Sequence, residues 1–225
     1  MQKIAIRGGH NFQATGAVGI VNEVVEDRKL LASAIKYLKI DGKEVLDVTP
    51  GNCDQYADLA YGVNKANAWG AEAFISIHLN KAYKSYAGKI GTETCIYATG
   101  GNGEVIGKRI VDNIASLGFI NRGIKIRPEL YELRKTNMSA VIVETFFCEA
   151  TGDVSTYNAV GYDAIGKKIA EGIVGHEIKV PEPVKPSTPV SDKIYRVQVG
   201  AFKNKENADK LVAELKAKGI IATVV

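Results

Sequence analysis

The chain reads as an α/β protein: a mostly parallel twisted sheet covered by helices on both faces, followed by a small βαβ C-terminal fragment. Three observations predict this. Short β-branched segments alternate with amphipathic segments from residue 3 to about 175, a proline-rich stretch then breaks the pattern, and the alternation resumes once over residues 193–225. Strands joined through helical crossovers pair in parallel and bury both faces of their sheet.

Five segments have the length and β-branched content of strands: residues 3–6 (KIAI), 44–48 (EVLDV), 73–78 (AFISIH), 90–97 (IGTETCIY) and 140–147 (AVIVETFF). Between and after them, four segments carry apolar residues three or four apart. These are Leu31, Ile35 and Leu38; Tyr56, Leu59 and Val63; Ile106, Ile110, Ile114 and Leu117; and Tyr162, Ile165, Ile169 and Ile173. That spacing predicts helices with these residues turned to the core.

Four of the six prolines, Pro181, Pro183, Pro186 and Pro189, fall within VPEPVKPSTPVSD. Proline at such density favours an extended, poorly packed chain, so residues 180–192 are expected to link a first domain, residues 1–179, to a tail, residues 193–225. In the tail, IYRVQVGAF alternates at period two, NKENADKLVAELKAKG has Leu211 and Leu215 one helical turn apart with Gly219 as its stop, and IIATVV supplies a second strand.

With 225 residues, 46% of them hydrophobic, the chain can bury a core without covalent staples. The net charge of +4 arises from 29 basic against 25 acidic residues with no long basic run, which argues against a nucleic-acid groove. Cys53, Cys95 and Cys148 are odd in number and far apart, which points to free thiols rather than a disulfide framework or a cysteine zinc knuckle. The start, MQKIAIRGGH, enters a strand at once and leaves no room for a signal peptide, and no apolar run reaches the roughly 18 residues of a membrane span. Synthesis in the cytoplasm without a signal peptide is the corresponding expectation.

Chemistry concentrates at strand ends. His10 lies just past the first strand, His78 closes FISIH, and Glu144 sits at or near the end of AVIVE. In an open α/β sheet the carboxyl ends of the strands are where ligands bind, so parallel strands bring all three residues to one edge. Two histidines at one edge suggest a metal, and a catalytic zinc takes three protein ligands with one position left for water. Glu23, which follows GAVGIVN and opens the first helix, is the leading third donor; Glu26 and Asp27 compete within a turn. Two imidazoles with a carboxylate suit zinc and also non-haem iron. Glu144, in so apolar a segment, is costly to ionise and therefore poised for proton transfer. His176 lies near the end of the last helix before the linker and reads as a surface or capping residue.

These residues resemble a known family, the zinc-dependent N-acetylmuramoyl-L-alanine amidases of bacterial autolysins and phage endolysins. GGHNFQATGAVGIVNE is similar to that family's opening Gly-His segment, its Gly-Ala-Val-Gly turn and the glutamate that follows. FISIHLN is similar to its second-histidine strand, and LYELRKTNMSAVIVETFF to the segment ending in its catalytic glutamate. The resemblance implies zinc held by His10, Glu23 and His78, one ion per catalytic domain, with Glu144 as the catalytic residue. It implies hydrolysis of the amide joining the lactyl group of N-acetylmuramic acid to L-alanine, hence peptidoglycan as partner; on the charge and hydropathy above, no nucleic acid or membrane span is expected. A monomer acting on the wall after release is expected. One departure stands out: Arg7 and Gly8 precede Gly9 and His10 where many relatives carry Asp-Pro, so the contacts supporting the metal differ.

The tail is similar to the first half of the sporulation-related (SPOR) repeat, which implies binding to glycan strands stripped of stem peptides. Two other classes compete with an amidase: a different metal enzyme on the same ligands, such as a peptidase cutting within the stem peptide, and a non-catalytic peptidoglycan-binding module. Residues 80–89 follow His78, and Tyr83 and Tyr86 there are candidates to stack on sugar or peptide.

Overall fold

The computed structural model describes residues 1–180 and 197–224. The chain divides into two compact units, Met1–Val180 and Pro181–Val225. Beyond Val180, the expected linker lies outside the described residues.

The first unit is built on six strands: β1 (Lys3–Gly8), β2 (Glu44–Asp47), β3 (Ala73–Asn80), β4 (Thr92–Ile96), β5 (Asn121–Ile126) and β6 (Ser139–Phe147). They form one sheet in the order β2-β1-β3-β6-β4-β5. β2, β1, β3 and β6 run parallel, β4 is antiparallel to β6, and β5 is parallel to β4. The mostly parallel sheet is as expected. β5 escaped the sequence pattern because NRGIKI is largely exposed on an edge and holds only two apolar side chains.

Five helices cover this sheet: α1 (Glu23–Ile40), α2 (Gln55–Trp69), α3 (Asn102–Ala115), α4 (Tyr131–Lys135) and α5 (Thr151–Val174). α1, α3 and α5 pack on one face, where Leu30, Leu38, Ile110, Ile165 and Ile169 meet Ile4, Ile6, Ile75, Ile77, Val141 and Val143. A fully buried aliphatic side chain of this kind contributes ~1.5–3 kcal/mol. α2 and the short α4 cover the other face, over Ala5, Phe74, Cys95 and Ile142. Two residues expected in the core are exposed: Tyr56 at 72% and Tyr162 at 47%. α2 takes its phase from Val63 and Ala66 instead, while Gly161, at φ 78°, kinks α5 and resets its phase before Ile165.

In the strands, residues on the α2/α4 face change from apolar to polar toward the carboxyl ends. Ala5 gives way to Arg7, Phe74 to Ser76 and His78, and Ile142 to Glu144, with Arg7 opposite Ser76 and His78 opposite Glu144. Alternation is strict in a strand, so these side chains share one face. Asp58 of α2 and Glu132 of α4 reach Arg7 at this polar end.

Within the second unit, α6 (Lys205–Ala217) forms as expected, capped by Asn204. The strands expected on either side of it are not formed among the described residues, and residues 193–196 lie outside them. Val197 and Ile221 are 87% and 96% exposed. Two short strands around a single helix bury too little to hold a ladder in water. Among the described residues, no helix is long and apolar enough to cross a membrane.

Candidate metal centre

His10, Glu23 and His78 converge at the carboxyl ends of β1 and β3. Their donor atoms lie within 4.8 Å of one another, a group that can hold a metal ion. His78 Nδ1 is 2.9 Å from Glu23 Oε1, and His10 Nε2 is 3.7 Å from the same oxygen. The two imidazole rings meet edge to face with centroids 5.0 Å apart.

Each side chain is placed by local structure. Asn22 caps α1 by accepting from Val25 N, which sets Glu23 at the first helical position. Glu23 is 2% exposed, and its carboxylate also accepts from the backbone amides of Ala17 and Leu79, so it ties the loop before α1 to the end of β3. His10 has a left-handed backbone, φ 56°, in a position that costs a non-glycine residue ~1–2 kcal/mol. Arg28 holds that conformation: Nη1 donates to Gly9 O at 3.0 Å and Nη2 to His10 O at 2.6 Å. Arg28→Met is therefore expected to weaken metal uptake and lower stability by about 1–3 kcal/mol, measured by denaturant unfolding alongside a chelator titration.

Two glycines leave room for the cluster. A Cβ at Gly9 meets His78 Cε1 at 2.0 Å, and one at Gly16 meets Glu23 Oε2 at 2.1 Å and His10 Cδ2 at 2.4 Å. Since these contacts are far inside van der Waals distance, Gly9→Ala is expected to displace the His78 ring and cut metal uptake by about 10-fold or more. Dialysis against a metal buffer checks this.

Electrostatics follow from the crowding. Burial disfavours a charged His78 ring, but the hydrogen bond and charge of Glu23, with Glu144 and Glu132, outweigh it and push the pKa up to about 9. Burial and the charge of His78 lower His10. Burial opposes ionisation of Glu23, yet its bond to His78 and both imidazole charges hold it below the usual carboxylate range. Glu144 is partly exposed on β6 directly across from His78, roughly one strand spacing of ~4.8 Å away. Burial, with the charges of Glu23 and Glu93, pushes its carboxyl up to about 7, against the restraining charge of His78.

Of the competing donors, Glu26 bonds Tyr157 OH and Lys29 Nζ, and Asp27 pairs with Arg28 at 2.7 Å, so neither joins the cluster. His176 is remote and bonds Asp41 at 2.7 Å. All three cysteines are free, with Cys95 and Cys148 buried and Cys53 half-buried. Tyr83 and Tyr86 stack on each other with centroids 5.5 Å apart.

Several neighbours were not legible from sequence. Glu93 lies opposite Glu144 on β4 and accepts from Asn80 and Arg122. Fully buried Arg7 pairs with Asp58 and Glu132, and Asn11 Nδ2 donates to Asp58 at 2.8 Å. An arginine inside an apolar strand segment was the one available signal.

Comparison with known proteins gives a consistent picture. The family described as N-acetylmuramoyl-L-alanine amidase matches residues 4–175, and the SPOR domain matches residues 191–225. An uncharacterised Clostridium perfringens protein is 54% identical over 82% of this chain and 54% of its own length. A sporulation-specific N-acetylmuramoyl-L-alanine amidase of Bacillus subtilis is 31% identical over 100% of this chain and 84% of its own. The catalytic domain of an endolysin targeting Clostridium difficile superposes with a TM-score of 0.71 at 27% identity, over 80% of this chain and 100% of that domain. The chain spans about half the length of the two Clostridium perfringens proteins it matches, 54% and 50%.

Proposed function

Since the chain belongs to the N-acetylmuramoyl-L-alanine amidase family, we propose that it hydrolyses the amide between the lactyl group of N-acetylmuramic acid and L-alanine in peptidoglycan. In this reading His10, Glu23 and His78 hold one zinc ion and Glu144 carries the proton. The observation that carries it is the convergence of two imidazole nitrogens and a carboxylate oxygen, all within 4.8 Å of one another, beside a half-buried glutamate directly across the sheet from His78.

The donor set fits zinc. Tetrahedral zinc with bonds of ~2.0–2.1 Å places donors about 3.3 Å apart, and the 2.9 and 3.7 Å separations about Glu23 Oε1 bracket that value. Gly9 and Gly16 supply the space that larger residues would fill. Zinc bound there supplies Lewis-acid polarisation of the scissile carbonyl.

The chain's own residues do the rest. Burial lifts the Glu144 carboxyl above the ordinary carboxylate range, which suits a group that takes a proton and then gives it back. As water adds to the lactyl carbonyl, its Oε accepts a proton; as the carbon–nitrogen bond breaks, it returns a proton to the nitrogen of L-alanine. The products are a lactyl carboxylate and a free amino terminus. Glu23, engaged as a metal donor in this reading, leaves the proton work to Glu144. The SPOR match supports peptidoglycan as the partner of the tail, and with it action at the cell wall.

Digestion of purified peptidoglycan followed by mass spectrometry tests the bond. New L-alanine amino termini without new reducing sugars are the expected products. Cleavage within the stem peptide would overturn the assignment of the bond, and retention of wall fragments without any cleavage would point to a binding module.

A further inference from the structure

The face of His78 turned away from Glu23 meets a second set of polar groups. His78 Nε2 lies 3.0 Å from Ser76 Oγ and 3.9 Å from Glu132 Oε2. Ser76 is fully buried and Glu132 is 2% exposed. Glu132 comes from α4, and Ser76 precedes His78 by two residues on β3, on the same face of the sheet.

Such a burial is expensive for a carboxylate without partners. Arg7 provides one, with Nη1 3.1 Å from Glu132 Oε1, while also bonding the Asp58 carboxylate and donating from Nη1 to Asp58 O at 3.0 Å. One cation facing two carboxylates leaves the cluster one negative charge in excess, next to the outer nitrogen of the ring. Packing alone does not call for this arrangement, because apolar residues of similar volume in place of a buried ion cluster are commonly as stable or more so.

We infer that Ser76 and Glu132, anchored by Arg7 and Asp58, are positioning residues that fix the His78 ring for metal binding. The inference rests on the zinc reading above. An imidazole that donates a lone pair from Nδ1 keeps its proton on Nε2, and that proton needs an acceptor. Ser76 Oγ is in hydrogen-bond range of it, and Glu132 stabilises the positive charge that the ring gains when Nδ1 is ligated. Arg7 holds Glu132 in place and spans from β1 to both α2 and α4, so it couples the cover of this sheet face to the metal centre.

The test is a zinc titration of the full chain in competition with a chromogenic chelator, with Ser76→Ala and Glu132→Gln beside the parent. Both variants are expected to bind zinc about 10- to 100-fold more weakly, and Ser76→Ala to unfold in denaturant as the metal-free parent does. The visible absorption bands of the cobalt-loaded protein are expected to shift in both. Affinities within twofold of the parent and unchanged cobalt bands would overturn the inference, including the case where only unfolding is affected. If Glu132→Gln does not fold, Ser76→Ala decides alone. Failure of the parent itself to take up zinc is a distinguishable result that removes the zinc reading and this inference with it.

Discussion

Glu144→Gln is expected to lower peptidoglycan hydrolysis by ~10²- to 10⁴-fold, the usual contribution of a positioned general acid–base group, with bound zinc and unfolding unchanged. The expectation follows from position. Glu144 lies directly across from His78 in the sheet, yet it is not one of the three converging donors. Glutamine keeps the size of the side chain and removes its ability to exchange a proton. Hydrolysis should therefore fall through kcat, with KM little altered. Loss of zinc from this variant would instead show Glu144 to be a ligand, and retention of activity would place the proton transfer elsewhere.

Glu23→Ala is expected to have an effect of equal size by a different route. Its carboxylate meets both histidines and accepts from two backbone amides, so removal takes away a donor and unties the loop before α1 from β3. Removing a group that merely orients a metal ligand costs about 10- to 100-fold in metal affinity, so loss of this donor is expected to exceed about 100-fold and to abolish hydrolysis. Glu26→Gln is the matching control. Glu26 is engaged by Tyr157 and Lys29, away from the cluster, and zinc affinity is expected to stay within twofold of the parent. Zinc content by atomic absorption after gel filtration distinguishes the two.

Much of this site could be read from strand ends. His10 follows β1, His78 and Glu144 lie near the carboxyl ends of β3 and β6, and the parallel pairing of these strands brings them to one edge. Position alone left Glu23, Glu26 and Asp27 open, because all three lie within one helical turn; the resemblance favoured Glu23, and the structure brings Glu23 to both histidines while Glu26 and Asp27 are engaged elsewhere. The outer network was beyond sequence reasoning for another reason. Arg7, Asp58 and Glu132 come from β1, α2 and α4, and nothing local marks them as neighbours. α4 is a single short helix with little periodicity to detect, and β5 is an exposed edge strand whose pattern the core does not enforce. The tail shows the opposite case. Its alternating residues read clearly as strands, yet among the described residues no strand forms, since alternation makes a strand only where a partner supplies the ladder.

In the proposed function His10, Glu23 and His78 together hold the catalytic metal. Crystals grown from zinc-loaded protein, with diffraction collected on both sides of the zinc absorption edge, test it most directly. One anomalous peak is expected about 2.0–2.2 Å from His10 Nε2, His78 Nδ1 and Glu23 Oε1, with Glu144 outside bonding distance. A peak at Cys53, at Glu26 or Asp27, or no peak in protein that still cleaves peptidoglycan, would contradict it.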